Sequence, residues 1–488
     1  MADIEYDVIV IGGGAIGENV ADRAVQGGMK TVLVEAELVG GECSYWACMP
    51  SKALLRSAAL LRAAGKVGGV REAITGDLDV RAVLRRRDSV TSNWNDDGQV
   101  EWLNGAGIDL IRGHARITAP REVTVTLKDG STQIVRARHA VAACTGSASL
   151  LPDIPGLLDA HPWTSRDATS AQEVPASLAI IGGGVVAVEM ATAYAGFGSE
   201  VHVISRSGLL GNQEPFAGEM VGKALTDLGV QLHLEQSPRE VRRSAAASGS
   251  TPGKVVLTLG DDSEITAEQV LVATGRIAHT GDLGLDNIGL TPGDWLHVDD
   301  TMLVQFGDGA EVTNDWLYAA GDVNHRALLT HQGKYQARIA GDAIAARATG
   351  KTLSTEPWGT YVATADHQSV PQVTFTDPEV ASVGLTAAAA EKSGYNIRVV
   401  DYPISGVAGA TINADDYVGQ ARMVVDEDRH VLLGVTFVGA DVGELLHSAT
   451  IAVVAEVPID RLWHAVPSYP TLSEVWLRLL ETYGRPSS

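Results

Sequence analysis

Twice in this 488-residue chain an apolar run breaks into three glycines and resumes as helix-forming sequence. The first instance is Asp7-Val8-Ile9-Val10-Ile11, then Gly12-Gly13-Gly14-Ala15-Ile16-Gly17. A helical segment from Glu18 follows, then Thr31-Val32-Leu33-Val34, ending in Glu35. Strand, glycine-rich turn, helix, strand and acid is the order that a dinucleotide-binding βαβ unit requires. Gly12 permits the tight turn, Gly14 lets a pyrophosphate approach the backbone, and Gly17 lets helix and strand pack closely. The pyrophosphate would rest on the helix N-terminus. Glu35, 23 residues after Gly12, is placed to accept from a ribose 2′-hydroxyl.

The pattern recurs about 170 residues later, where Leu178-Ala179-Ile180-Ile181 leads into Gly182-Gly183-Gly184-Val185-Val186-Ala187. A helix and the strand Val201-His202-Val203-Ile204 come next, with Ala187 in the third glycine place. Two fingerprints imply two dinucleotides. The offset that leads from Gly12 to Glu35 leads here from Gly182 to Ser205, with Arg206 beside it. Losing the acid and gaining Arg suits a 2′-phosphate, so NADPH is favoured over NADH. Residues 177 to 198 match a membrane span in length, but Glu189 and the glycine triplet assign them to strand, turn and helix.

Between Glu35 and the second unit lies Gly40-Gly41-Glu42-Cys43-Ser44-Tyr45-Trp46-Ala47-Cys48-Met49-Pro50-Ser51-Lys52, with two of the three cysteines. The residues after it predict a helix with an apolar face at Leu54, Leu55, Ala58 and Leu61. Cys48 therefore stands near a helix start, with Pro50 where its missing N–H is tolerated. A thiolate is stabilised there. Two cysteines this close can close a reversible disulfide. A structural staple is unneeded in a chain of this length, and a metal site would want more ligands nearby. The third, Cys144, sits in an apolar run and reads as a small buried side chain.

Segments 110–115 and 141–147 read as strands ending in tight turns, and Val270 to Arg276 repeats the design with Thr274-Gly275. Trp316 to Val323 is a strand ending at Gly321-Asp322, where the acid either bonds a polyhydroxyl chain or caps a following helix. Residues 244–253 are a loop by composition. From about Asp366 the texture becomes alternating β segments, followed by helices at 443–456 and 473–481. Net charge of −23 argues against nucleic acid or an anionic membrane as partner. Three cysteines and an acidic start (Asp3, Glu5, Asp7) point to a reducing, cytoplasmic setting.

In its ordered motifs the chain resembles the pyridine nucleotide-disulfide oxidoreductases, the flavoprotein disulfide reductases. The motifs are Gly12 to Gly17 with Glu35, Gly41-x-Cys43-x4-Cys48-x-Pro50-Ser51-Lys52, Thr145-Gly146, Gly182 to Glu189, Ala273 to Arg276, and Tyr318 to Asp322. The resemblance implies an α/β fold of two Rossmann-like dinucleotide-binding domains plus a C-terminal α+β dimerisation domain. Its domains would be an FAD-binding part at 1–150, an NAD(P)-binding domain at 151–276, the second FAD or central part at 277–365, and the dimerisation domain at 366–488. It implies FAD in the first fingerprint, NAD(P)H in the second, a homodimer, and Asp322 on the flavin's ribityl chain. Cys48 would face the flavin and Cys43 would exchange with substrate, while Lys52 would lie by the flavin, partnered by Glu189. The strand residue Ala115, together with Gly41, Thr145, Gly146, Gly275 and Gly321, completes the expected cofactor contacts.

The tail departs from the disulfide-reducing pattern. Those members carry a His five residues before a Glu, whereas counting back from Glu474 lands on Tyr469. Histidine, with a pKa of about 6.5, exchanges protons readily at neutral pH; tyrosine, near 10, donates but hardly accepts. Mercuric reductases share the Tyr-x-Thr-x-x-Glu pattern of Tyr469 to Glu474, and His464 is a second candidate proton source. The expectation is an NAD(P)H oxidoreductase relaying electrons through FAD and Cys43/Cys48 to a disulfide-type acceptor. The alternative is a reductase of a metal ion, quinone or other small oxidant that uses Tyr469. A redox sensor with little turnover is the third reading.

Overall fold

The computed structural model describes residues 4–244, 253–307 and 314–485. Of the loop expected at 244–253, positions 245–252 lie outside the described residues. The chain divides into two compact units: residues 1–50, 88–150 and 276–366 in one, and residues 51–87, 151–275 and 367–488 in the other.

In the first unit, β1 (Ile4–Ile11), α1 (Ala15–Gln26) and β2 (Thr31–Glu35) form the predicted βαβ start. Strand β3 (Asp109–Ala119) runs parallel to β2, and β5 (Thr132–Ala143) and the short strand Leu317–Ala319 continue the parallel sheet beyond β1. Residues Val8 to Ile11 are at most 4% exposed, as a parallel strand covered on both faces demands. Their side chains alternate. Val8 and Val10 pack with Val20, Ala21 and Leu33 on one face, and Ile9 and Ile11 pack with Val32, Val34 and Val125 on the other.

One detail differs from expectation, and one open alternative closes. β3 does not turn after Ala115 but exchanges partners, pairing with β2 up to Arg112 and antiparallel to β4 (Glu122–Leu127) from Gly113. Gly113 is the crossing point, because a Cβ there would lie 2.6 Å from the Thr126 carbonyl oxygen. Asp322 caps no helix: Gly321 occupies the cap position of a short 3-10 turn, Asp322–Asn324.

In the second unit four parallel strands, in the order Gln269–Val272, Ser177–Ile181, Glu200–Ser205 and Gln231–Leu234, carry the helix Val185–Gly196. A three-stranded antiparallel sheet spans Pro238–Arg243, Val255–Leu259 and Glu264–Ala267. Residues beyond 370 build a five-stranded antiparallel sheet, whose Val435 and Phe437 share a core with Leu446 and Leu479. The helix expected at 443–456 begins as a 3-10 turn, Val442–Leu445, and becomes α-helical over Leu446–Val454. The last helix is Val475–Tyr483. Among the described residues, no helix is long and apolar enough to cross a membrane.

Candidate active site

The dithiol stretch folds as two helices, α2 (Gly41–Tyr45) and α3 (Cys48–Gly65), with Cys48 the first residue of α3. The stretch is tied to the first glycine-rich turn, because the Gly40 N–H donates to the Gly13 carbonyl at 2.7 Å. Both sulfurs are present as thiols. A hydrogen bond to Cys48, burial and the charge of Cys48 hold the Cys43 thiol well above its ordinary pKa, so Cys43 keeps its proton. The Thr330 hydroxyl lies 3.2 Å from Cys48 Sγ, at the start of the helix Thr330–Ala348.

The bulky pair between the cysteines is supporting structure. Tyr45 is 3% exposed and donates through its hydroxyl to the Val39 carbonyl at 3.0 Å. Trp94 Nε1 donates to the Tyr45 carbonyl at 3.1 Å, and Trp46 meets the Tyr45 ring edge-on with centroids 5.7 Å apart. Burial lifts the Cys144 thiol to about 12, in keeping with a packing role.

Around the first turn, Gly12 adopts φ +100°, and a Cβ there would sit 2.4 Å from the Cys144 carbonyl oxygen. Glu35 accepts from the N–H groups of Gly13 and Glu37, both at 2.6 Å, while burial raises its pKa. Ser147 Oγ donates to Asp322 Oδ2 at 2.6 Å, and Arg276 Nε donates to Ser147 Oγ. The Thr145 hydroxyl is buried without a protein partner, beside Gly146, whose φ is +71°. An orphaned buried hydroxyl, a ribose-position carboxylate and a helix N-terminus without a side-chain cap at Gly14 fit a dinucleotide. Gly17 and Gly41 line the same turn, Gly321 donates its N–H to Gln336 Oε1, and the Ala115 side chain lies in the sheet core, leaving only its backbone for any contact.

In the second unit, Gly182 and Gly184 precede the helix Val185–Gly196, and a Cβ on Gly184 would meet no atom within 4 Å. Ser205 ends its strand buried, Arg206 is exposed, and Gly275 takes φ +146°. Glu189, in that helix, accepts from Lys52 Nζ at 2.8 Å and from the Phe375 N–H at 2.9 Å. The Lys52 ammonium also lies 4.9 Å from the Phe375 ring centroid. Tyr469 is 77% exposed, whereas Glu474 is buried with Oε2 unpartnered. His464 is exposed. The arrangement therefore brings Lys52 to Glu189 but gives Tyr469 no bond to Glu474.

Sequence reasoning missed Thr330, Phe375 and the Ser147–Arg276 clasp. Thr330 opens a helix directly after Leu328-Leu329, which is a usable signal; Phe375 has none, because only folding brings it to Glu189.

Two glycine-rich dinucleotide-binding folds, one of them with a thiol pair close in the chain, define a nicotinamide-linked oxidoreductase. The chain belongs to the pyridine nucleotide-disulphide oxidoreductase family, whose model matches residues 6–345, with the family's dimerisation domain matching residues 370–479. The family works with FAD and NAD(P)H. A mercuric reductase of Staphylococcus aureus is 30% identical over 481 residues, spanning 97% of this chain and 81% of the relative. A dihydrolipoyl dehydrogenase of Zymomonas mobilis is 31% identical over 499 residues and spans 99% of both. In fold, the chain is similar to a Cu(II) complex of the HOCl-induced flavoprotein disulfide reductase RclA of Escherichia coli, with a TM-score of 0.81, 22% identity and 99% of each chain covered.

Proposed function

We propose that the protein takes electrons from NADPH and delivers them through the Cys43/Cys48 pair to a disulfide-type acceptor, as a cytoplasmic homodimer joined by its C-terminal domain. The observation that carries this reading is the hydrogen-bonded Cys43–Cys48 thiol pair beside the first glycine-rich turn. When bound, FAD supplies the two-electron relay between nicotinamide and dithiol. Glu35 would hold a ribose of the bound FAD, Asp322 would accept from its ribityl hydroxyls, and Lys52, held by Glu189, would supply the positive charge that favours flavin reduction. Arg206 pairs with the 2′-phosphate that distinguishes NADPH.

In the exchange, the Cys43 sulfur attacks the acceptor disulfide and releases one thiolate. The Cys48 thiolate then attacks Cys43, closes the Cys43–Cys48 bond and releases the second. Two electrons pass from the dithiol to the acceptor, and the Cys43 proton leaves with the released thiol. Anaerobic titration with NADPH should give a long-wavelength thiolate–flavin band after two electrons. If Cys48→Ser turns over every acceptor at the wild-type rate, the dithiol reading is wrong.

A second reading is favoured by Tyr469, which stands where disulfide-reducing members place a basic His. The same reductive half would then serve a metal ion or a small oxidant such as a quinone. The mercuric reductase relative and the Cu(II)-bound RclA complex support a thiophilic metal ion as that acceptor. Turnover of lipoamide, glutathione disulfide, Hg(II), Cu(II) and a quinone, compared between wild type and Tyr469→His, separates the two. A disulfide activity gained only in the His variant selects the metal or quinone reading. Strong wild-type disulfide turnover eliminates it.

A further inference from the structure

The turn that carries Asp322 is held in place by a chain of buried side chains. Gly321 takes φ +83°, and a Cβ there would lie 3.0 Å from Ile16 Cγ1, so α1 bounds the turn. The Gly321 N–H donates to Gln336 Oε1 at 2.9 Å, and Asn324 Nδ2 donates to the same oxygen at 2.9 Å. Gln336 is fully buried in the helix Thr330–Ala348, and its Nε2 donates to Asp366 Oδ2 at 2.9 Å. Asp366 Oδ1 accepts from Gln332 Nε2 at 2.6 Å, while Arg326 Nη1 stands 3.6 Å from Oδ2. Arg326 is paired more closely with Asp300, at 2.8 Å, so the nearest donors to Asp366 are the two glutamine amides.

The Asp366 side chain is 1% exposed, and burial raises its pKa against those donors. Burying a carboxylate only to anchor a helix is costly, and an amide would anchor it with less desolvation. What a carboxylate adds is direction. It accepts and does not donate, so Gln336 must turn its NH2 toward Asp366 and its oxygen toward Gly321. An amide at position 366 could donate instead. Gln336 could then reverse and set its NH2 against the Gly321 N–H, donor facing donor. We propose that Asp366 is a positioning residue for FAD: by fixing which way the Gln336 amide points, it keeps an acceptor on the Gly321 N–H and holds the adjacent Asp322 where ribityl hydroxyls meet it. This rests on the FAD reading above. Asp322 itself accepts from Ser147 Oγ at 2.6 Å, so the Asp366 relay and the Ser147–Arg276 clasp together fix one carboxylate.

The test uses the flavin-loaded protein and follows FAD release as the gain in flavin fluorescence after dilution. Asp366→Asn should speed release on the order of tenfold, the worth of one lost hydrogen bond. A role confined to anchoring the helix would survive that change, because a reversed Gln336 amide still bonds the new side chain, and release would match wild type. Adding Gln336→Glu to Asp366→Asn should bring release back toward the wild-type rate. In that pair the new amide donates to the new carboxylate, whose other oxygen again accepts from Gly321, while the amide oxygen keeps the Gln332 bond. Wild-type release in Asp366→Asn overturns the proposal, as does a double variant that releases FAD no more slowly than Asp366→Asn. If Asp366→Asn retains no flavin, recovery of flavin in the double variant carries the test, and no recovery overturns the proposal. Wild-type protein that purifies without flavin and takes up none would defeat the FAD reading itself, which is seen before any variant is compared.

Discussion

The ammonium of Lys52 sits 2.8 Å from the carboxylate of Glu189, a residue 137 positions away in the chain. Only the Glu189 side chain is fully withdrawn, 4% exposed against 35% for Lys52. Its second oxygen is occupied by the Phe375 N–H, so the carboxylate is held from two sides. Removing one partner of such a pair leaves a buried group uncompensated.

Glu189→Gln should therefore lower stability by about 1–2 kcal/mol, less than for a fully buried pair because Lys52 reaches water. Urea unfolding measures that loss. Stopped-flow reduction by NADPH should slow at the same time, since the cation is no longer fixed; an unchanged reduction rate would remove Lys52 from the flavin's surroundings.

The three cysteines should separate cleanly in activity. Cys43→Ser and Cys48→Ser each abolish exchange, a loss on the order of a thousandfold or more in steady-state turnover. Cys144→Ala, at a thiol that burial lifts to about 12, changes turnover by less than about threefold. A large loss in the Cys144 variant would mean that a third sulfur takes part.

Arg206→Ala should raise the KM for NADPH by about tenfold or more, the worth of one charge-assisted hydrogen bond, and leave the KM for NADH nearly unchanged. Equal effects on both nicotinamides would place Arg206 away from the 2′-phosphate.

Gly12→Val combines φ +100° with a Cβ 2.4 Å from the Cys144 carbonyl oxygen. The cost is at least about 3 kcal/mol from strain and overlap together. Thermal unfolding and the flavin absorbance of purified protein report it, with a lower Tm and lost FAD as the expected pair.

Glu18 gives a pH signature. Its folded pKa of about 7 exceeds the ordinary 4.5, so between those values the folded protein holds a proton that the unfolded chain has released. The group's contribution is therefore greatest below pH 4.5 and falls as pH rises through 7, by about 3 kcal/mol in all. Glu18→Gln should remove this slope, so that the stability difference between variant and wild type grows from pH 5 to pH 8. A constant difference across that range contradicts the burial of an ionisable Glu18.

Much of the first unit was legible in the chain because its signals are local. Three glycines after an apolar run predict the turn, and β1, α1 and β2 appear where they were expected. The same holds for Cys48 at the first position of α3, and for Leu54, Leu55 and Ala58 on its buried face. The misplaced turn after Ala115 has the opposite cause. Gly113 looks like a turn residue in isolation, yet its lack of a side chain serves β4, and β4 is recruited through pairing rather than composition.

The amino-acid order alone determined that there are two dinucleotide turns and one close cysteine pair, because helix starts, strand periods and glycine turns are set by residues a few positions apart. Tertiary structure decided which groups surround the sulfurs. Thr330 stands at Cys48 and Phe375 at Glu189, and each contact joins segments far apart in sequence. Burial then settles the chemistry: it takes water away from Glu18 and raises its pKa and, together with the Cys48 hydrogen bond, holds the proton on Cys43.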